Sequence, residues 1–234
     1  MSNLGSVTVD QMQQIDDYAV SELGLSLEMM MENAGTAIAI QSRRLLQSSK
    51  GKKILILAGS GHNGGDAIAA ARRLHTWGAH CLVLLSKARD ELKRATKAQL
   101  LLAEKYGVRF FEPGALFPEA DLIIDGLIGY NLIGELDQVT ADLIDGANRY
   151  PAPKLAIDLP SGLDGNTGKG RFPTIRADQT LTLAYPKEGL LKEFASQLVG
   201  RLFLADLGLP NAVWKQYGVT EPDFSQDIII PLTD

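Results

Sequence analysis

Apolar residues recur at helical spacing through roughly the first fifty positions, then collect into short continuous runs separated by longer amphipathic segments. Thr8 or Asp10 can cap a first helix in which Ile15, Tyr18 and Ala19 share one face. Ser26 opens a second, longer helix through Ala34, Ala37, Ile38, Ala39 and Leu45, which the polar run 48–51 closes. From Lys53 onward the runs Ile54–Ala58, Cys81–Leu85, Val108–Phe111, Leu122–Asp125 and Leu155–Asp158 read as buried strands. Helices are expected between them at about 66–77, 91–106 and 136–149. Gln179–Ala184 and Arg201–Ala205 are β-like, and Ile228–Ile230, in a polar tail, reads as a short edge strand or docking segment. This alternation predicts an α/β fold, a parallel sheet covered on both faces, with the N-terminal helical pair (residues 1–50) as an appendage packing on it. No repeat, linker or composition break divides residues 1–234, so a single domain is expected.

Composition narrows the function. With 23 basic and 28 acidic residues, a net charge of −5 argues against a nucleic-acid footprint. The single cysteine, Cys81, excludes a disulfide framework and a thiolate metal site, and its apolar surroundings make it a buried strand residue. No apolar segment approaches membrane-spanning length and the opening residues lack a signal-peptide core, so a soluble cytoplasmic protein without membrane contact is expected.

Ligands of open α/β sheets bind beyond the strand C-termini. Three of those ends carry chemistry here: the turn Gly59-Ser60-Gly61-His62-Asn63-Gly64-Gly65-Asp66, the stretch from Asp125 through Gly129 and Gly134 to Glu135, and Asp158-Leu159-Pro160-Ser161-Gly162-Leu163-Asp164. Two strands ending in aspartate, Asp125 and Asp158, put two carboxylates near one crevice. Gly59, Gly61 and Gly64 satisfy the G-x-G-x-x-G spacing of a dinucleotide turn, but the second strand ends Ser86-Lys87-Ala88-Arg89 without the acid that would hold a ribose. An NADP-dependent oxidoreductase survives as an alternative through Lys87 and Arg89, as does a tight turn without any ligand. A phosphate loop fails because Gly65-Asp66 stands where Lys-Ser/Thr is needed, and Ser161 lacks the flanking glycines of a nucleophile elbow. Asn63, Asp125 and Ser161 are hard oxygen donors that suit a monovalent ion or magnesium rather than zinc; hydrogen bonding to loop backbone is the equal alternative. His75 and His80 read as surface or packing residues.

Five motifs in order, Met31-Glu32-Asn33-Ala34-Gly35, Gly61–Asp66, Asp125 with Gly129, Asp158–Asp164 and Tyr185-Pro186-Lys187, resemble the YjeF N-terminal domain, the NAD(P)H-hydrate epimerase family. The resemblance spans nearly the whole chain. It implies a three-layer Rossmann-like α/β/α sandwich, commonly dimeric, that interconverts the R and S epimers of hydrated NADH and NADPH (NADHX and NADPHX). It also implies a separate ATP- or ADP-dependent dehydratase as partner. Carried over by motif, Asn63, Asp125 and Ser161 would hold a potassium ion. His62, Asn63, Gly64, Gly65 and Asp66, then Gly129, Tyr130, Asn131, Leu132, Ile133, Gly134 and Glu135, with Asp158, would contact substrate. His62 stands where the family has asparagine and Ala67 where it has glycine. The same fold also serves as a binding module in RNA-decay scaffolds and in a protein that binds apolipoprotein A-I, which gives the non-catalytic alternative.

The chemistry expected is expulsion of the ring hydroxyl by the nitrogen lone pair and its return to the other face. Asp158 is the candidate acid and cation stabiliser, and Asp158→Asn is expected to stop turnover while leaving the fold intact. Lys187 reads first as a surface lysine, with a role beside phosphate or Asp158 as the alternative. Asp66 is expected to cap or orient its loop rather than act as an acid. The Gly129–Gly134 stretch should lead into a helix near Glu135 whose N-terminus takes phosphate oxygens. Asn33 is placed at the site edge, and Gly35 permits close helix packing.

Overall fold

The structure, a computed structural model, describes residues 4–130 and 134–233. Eight strands form one sheet: β1 (Lys53–Ala58), β2 (His80–Leu85), β3 (Arg109–Phe111), β4 (Leu122–Gly126), β5 (Lys154–Ile157), β6 (Gln179–Leu183), β7 (Arg201–Ala205) and β8 (Ile229–Pro231). Their spatial order is β3-β2-β1-β4-β5-β6-β7-β8, parallel except for the antiparallel β7–β8 pair. The chain first winds outward from β1 through β2 to β3, then returns to β4 on the other side of β1. This reversal opens a crevice at the C-terminal ends of β1 and β4.

Central strands are buried on both faces, which is why they read as continuous apolar runs rather than alternating ones. One face carries Ile54, Ile56, Val83, Ile124 and Leu155 against α1 (Val9–Ser21), α2 (Leu27–Leu46), α3 (His62–Thr76) and α4 (Arg94–Lys105). The other face carries Leu55, Leu57 and Ile123 against Leu143, Ile144 and Ala147 of α5 (Gln138–Arg149). The result is the three-layer α/β/α sandwich expected from the sequence. Short helices α6 (Ser196–Val199) and α7 (Asn211–Gln216) complete the C-terminal part. Among the described residues, no helix is long and apolar enough to cross a membrane.

The N-terminal helices are built into this core rather than appended to it. Of the two candidate caps Thr8 is the one used: its hydroxyl accepts from Gln11 N while the Gln11 side chain returns to Thr8 N. Ser26 caps α2 through Met29 N. Helix α2 lies against α3 so closely that a Cβ on Gly35 would come within 2.6 Å of Ala69 Cβ. The motif 31–35 is a brace. Glu32 bonds Arg72 and, at 3.3 Å, Arg73; Met31 packs on Gly65; Asn33 Nδ2 donates to Leu207 O at 2.9 Å. Asn33 therefore ties α2 to the segment after β7 and does not line the cavity, contrary to its expected place at the site edge.

Helix α3 begins at His62, four residues before the expected start, and Asn63 through Ala71 are all buried. The small residues of Gly64-Gly65-Asp66-Ala67 let it sit at the centre of its layer. A Cβ on Gly64 would fall 2.0 Å from Gly59 O, and one on Gly59 would fall 1.9 Å from Leu127 O. The glycines thus pull the turn after β1 onto the loop after β4. This close approach shapes the crevice.

Candidate active site at the crevice between β1 and β4

A cavity of about 570 Å³ opens where the structure brings the C-terminal ends of β1, β4, β5 and β6 together under α1 and α2. Its apolar wall comes from Met12, Met30, Met31 and Leu127, and its polar groups include Asp16, His62, Asn63, Asp66, Asp158 and Lys187. A mostly apolar cleft with a few convergent polar groups is the usual form of a small-molecule site.

At its floor lies an ion pair. Asp158 follows β5 directly and Lys187 follows β6; they are 4% and 1% exposed, and their side chains are bonded to each other. Asp158 Oδ1 also accepts from Thr182 Oγ1 and Leu183 N, each at 3.2 Å, while Lys187 Nζ donates to Leu183 O at 2.9 Å. Lys187 is therefore not the surface lysine expected from its type. A buried pair so fully bonded also corrects the expectation that Asp158→Asn spares the fold, because the variant leaves an ammonium buried without its countercharge. Asp158 and Ala184 both adopt left-handed backbone, with φ of 64° and 62°. Such strain in non-glycine residues costs about 1–3 kcal/mol each and collects at sites where geometry is enforced.

Asp66 and Asp16 are among the further carboxyls that line the same space. Asp66 lies in the first turns of α3, where Gly61 is the N-cap; among the described residues no side chain caps this helix. Asp66 lines the cavity, and burial, then the nearby Asp158 and Asp16, hold its carboxyl well above the usual carboxylate range. Its expected role as a helix cap is not borne out among the described residues. Asp16, on α1, accepts a hydrogen bond from Tyr130 Oη, and burial pushes it up to about 6 against the pull of Tyr130 and Lys187. Burial and Asp16 together raise the Tyr130 phenol. The Tyr130 ring centroid lies 5.6 Å from Lys187 Nζ, within cation–π range. His62 is at the exposed rim, its imidazole shifted down by partial burial and by Lys93.

Below the cavity, Asp125 and Ser161 are fully buried. Asp125 Oδ1 accepts from Ser161 Oγ at 2.6 Å and Oδ2 from Ser161 N at 2.8 Å; burial pushes the carboxyl up to about 6 despite these bonds. Ser161 Oγ also lies 3.2 Å from Ile128 O. Asn63 is buried nearby, and a Cβ on Gly129 would sit 3.6 Å from its Oδ1. Asn63 Nδ2 has no hydrogen-bond partner among the described residues, so this amide carries a buried donor left without a partner there. No group of three His, Cys, Asp or Glu able to hold a metal occurs among the described residues. The three residues offer one carboxylate with neutral oxygens, a set that fits a hard monovalent cation better than zinc.

The remaining expected contacts divide. His62, Asn63, Asp66, Gly129, Tyr130, Glu135 and Asp158 line the cavity, whereas Gly64 and Gly65 lie beneath it as packing positions. Gly134 is exposed and its carbonyl accepts from Arg171, away from the cavity; Asn131, Leu132 and Ile133 lie outside the described residues. The helix expected from Glu135 starts at Gln138, and the Asp137 carboxylate caps it through Thr140 N at 3.1 Å. A carboxylate already in place there makes a poor phosphate site, which corrects that assignment. Lys87 pairs with Asp137, and Arg89 pairs with Glu104 and Glu112, so the two cations invoked for an NADP-type turn are engaged elsewhere.

Residues 27–189 match the family described as YjeF-related protein N-terminus. The chain belongs to that family. It is 40% identical over 215 residues to the NAD(P)H-hydrate epimerase of Dehalogenimonas lykanthroporepellens, covering 91% of this chain and 86% of that one. The NAD(P)H-hydrate epimerase of Rhodopirellula baltica is 32% identical over 222 residues, covering 92% and 89%. A protein of Thermosynechococcus vestitus named bifunctional NAD(P)H-hydrate repair enzyme Nnr is 37% identical over 207 residues, 88% of this chain but 40% of that one. The crystal structure of yeast ynu0, YNL200c, superposes with a TM-score of 0.83 at 21% identity, covering 98% of this chain and all of that one, which supports the fold. In this chain the five motifs mark one cavity and the braces around it.

Asp16 and the buried state of Lys187 escape the sequence. A signal for Asp16 is nonetheless present: Met12, Ile15, Asp16 and Ala19 follow the i, i+3, i+4, i+7 spacing of one helix face, and half-buried Asp16 is the polar member beside the buried Met12, Ile15 and Ala19.

Proposed function

We propose that this chain is an NAD(P)H-hydrate epimerase, an isomerase acting on hydrated NADH and NADPH. The observation that carries the reading is the buried Asp158–Lys187 pair opening into a cavity at the strand C-termini, in a family whose relatives at 32–40% identity bear that name. The reaction requires a ring carbon bearing hydroxyl to be exposed on both faces in turn. As the C–O bond breaks, the Lys187 ammonium gives its proton to the departing oxygen and the ring-nitrogen lone pair forms a C=N bond. The Asp158 carboxylate stabilises the resulting cation. Water then adds to the opposite face and yields a proton to Asp158, which returns it to Lys187, so the pair ends as it began. Asp158 thus acts as carboxylate and base, and the acid role moves to its partner. Asp66, whose carboxyl is held above the usual carboxylate range by burial and by Asp158 and Asp16, would donate a hydrogen bond to substrate when protonated.

Asn63, Asp125 and Ser161 would hold a potassium ion. When bound it would supply a fixed positive charge that favours ionised Asp125 and steadies the loops after β1, β4 and β5. The epimerised product would pass to an ATP- or ADP-dependent dehydratase, an inference supported by the relative named as a bifunctional repair enzyme. A homodimer belongs to the same proposal. The test is chromatographic: purified protein should speed interconversion of the two hydrate epimers, and Asp158→Asn protein that is still folded should not.

A further inference from the structure

One contact at the cavity wall has no part in the chemistry described above. Asp16 comes from the first helix of the chain, far in sequence from Tyr130, yet its carboxylate takes the Tyr130 hydroxyl. Helix α1 is held there by its own anchors. Val7 N donates to Pro186 O at 3.0 Å, Glu188 N to Val7 O at 3.0 Å, and Val9 N to Asn166 Oδ1 at 2.7 Å. These bonds fix the start of α1 to the segment that carries Lys187, so Asp16 is referenced to the ion pair. Tyr130, in contrast, lies on the loop after β4, and its ring faces Lys187 Nζ at 5.6 Å.

We propose that Asp16 is a positioning residue for the epimerisation: by accepting the Tyr130 hydroxyl it holds that ring, and the loop after β4, against the Asp158–Lys187 pair. Its action passes through Tyr130 and not through contact with the reacting carbon. A half-buried carboxyl beside the buried stripe of an amphipathic helix is costly unless hydrogen-bonded, and Tyr130 is the partner that offsets the cost. Asp17, Asp158 and Lys187 are the other charged groups whose fields reach this contact, and the Asp66 carboxyl lies within reach of Asp16. The benefit is geometric, since small misplacements of a group beside a reacting centre lower rates by an order of magnitude or more.

The inference rests on the epimerase reading, and a double-mutant cycle separates the two. Asp16→Ala and Tyr130→Phe should each lower kcat about tenfold with KM within about twofold, and the double variant should be no slower than either single. Asp16→Asn, which keeps an oxygen acceptor for the phenol, should recover most of the rate. Additive losses, or an Asn variant as slow as the Ala variant, would overturn the positioning role. Urea unfolding of wild type, the two single variants and the double variant reads the contact without turnover: a coupling between the two sites is expected, and its absence sinks the inference whatever the activity. A wild-type protein that binds but does not epimerise the hydrates defeats the functional reading, and with it this role, even if the unfolding cycle shows the contact.

Discussion

The buried pair at the cavity floor lends itself to a test in which stability and activity part company. Removing one member leaves the other charged, desolvated and without its countercharge. For a pair only 4% and 1% exposed, this costs about 3–5 kcal/mol. In a chain of 234 residues that lowers the melting temperature by on the order of 10 °C. Asp158→Asn and Lys187→Met should both show this loss. The double variant removes both charges at once. The amide introduced at position 158 can still accept from Thr182 Oγ1 and Leu183 N, and the thioether introduced at position 187 fills the volume of the lysine stem. The lost bond to Leu183 O leaves a deficit of about 1 kcal/mol. Stability should therefore recover while turnover stays absent. Urea titrations with hydrate-epimer assays on the same preparations would check it. Single variants within about 1 kcal/mol of wild type, or a double variant that loses the sum of the singles, would refute the claim of a buried, mutually compensated pair.

Other perturbations probe the surroundings. Gly35→Ala puts a methyl 2.6 Å from Ala69 Cβ and should cost about 1–3 kcal/mol in thermal or urea unfolding, because α2 cannot retreat without moving the Glu32 network. Asp16 gives a pH signature. Its carboxyl is raised from 3.8 to about 6, so the folded chain binds more proton than the unfolded one in that window, and the stabilisation present below about pH 4 is lost as pH rises through 6. Asp16→Asn removes this dependence, so its stability relative to wild type should rise by roughly 2 kcal/mol between about pH 4 and 7; parallel curves would contradict it. Replacing potassium by choline chloride at equal ionic strength should lower both melting temperature and turnover, and Ser161→Ala should abolish the difference between the two salts.

Much of this architecture was legible because the physics behind it is local. The runs at 54–58, 81–85 and 201–205 are largely apolar, and the helices between them carry one apolar face, so the order of elements follows from periodicity alone. The start of α3 falls elsewhere than expected because glycines at 64 and 65 signal a turn by propensity; here they are helical, since only they fit beneath Gly59 and beside Met31. Tertiary packing overrides propensity. The site was legible as far as the strand ends went, because Asp125, Asp158 and Ser161 lie where parallel strands must converge. Lys187 and Asp16 were not, because their burial depends on partners 29 and 114 residues away. A lysine at the end of an apolar stretch carries no mark of its countercharge, and the polar member of the α1 stripe becomes informative only once Tyr130 is known to face it.

Epimerisation of a hydrated nicotinamide cofactor in this cavity, through Asp158, can be followed directly. The direct measurement is relaxation of one purified epimer of hydrated NADH or NADPH toward the equilibrium mixture, followed by chromatography with and without the protein. A rate proportional to wild-type enzyme is expected, with no acceleration by the folded double variant carrying Asp158→Asn and Lys187→Met. Relaxation at the buffer rate with wild type, or equal acceleration by the double variant, would contradict it.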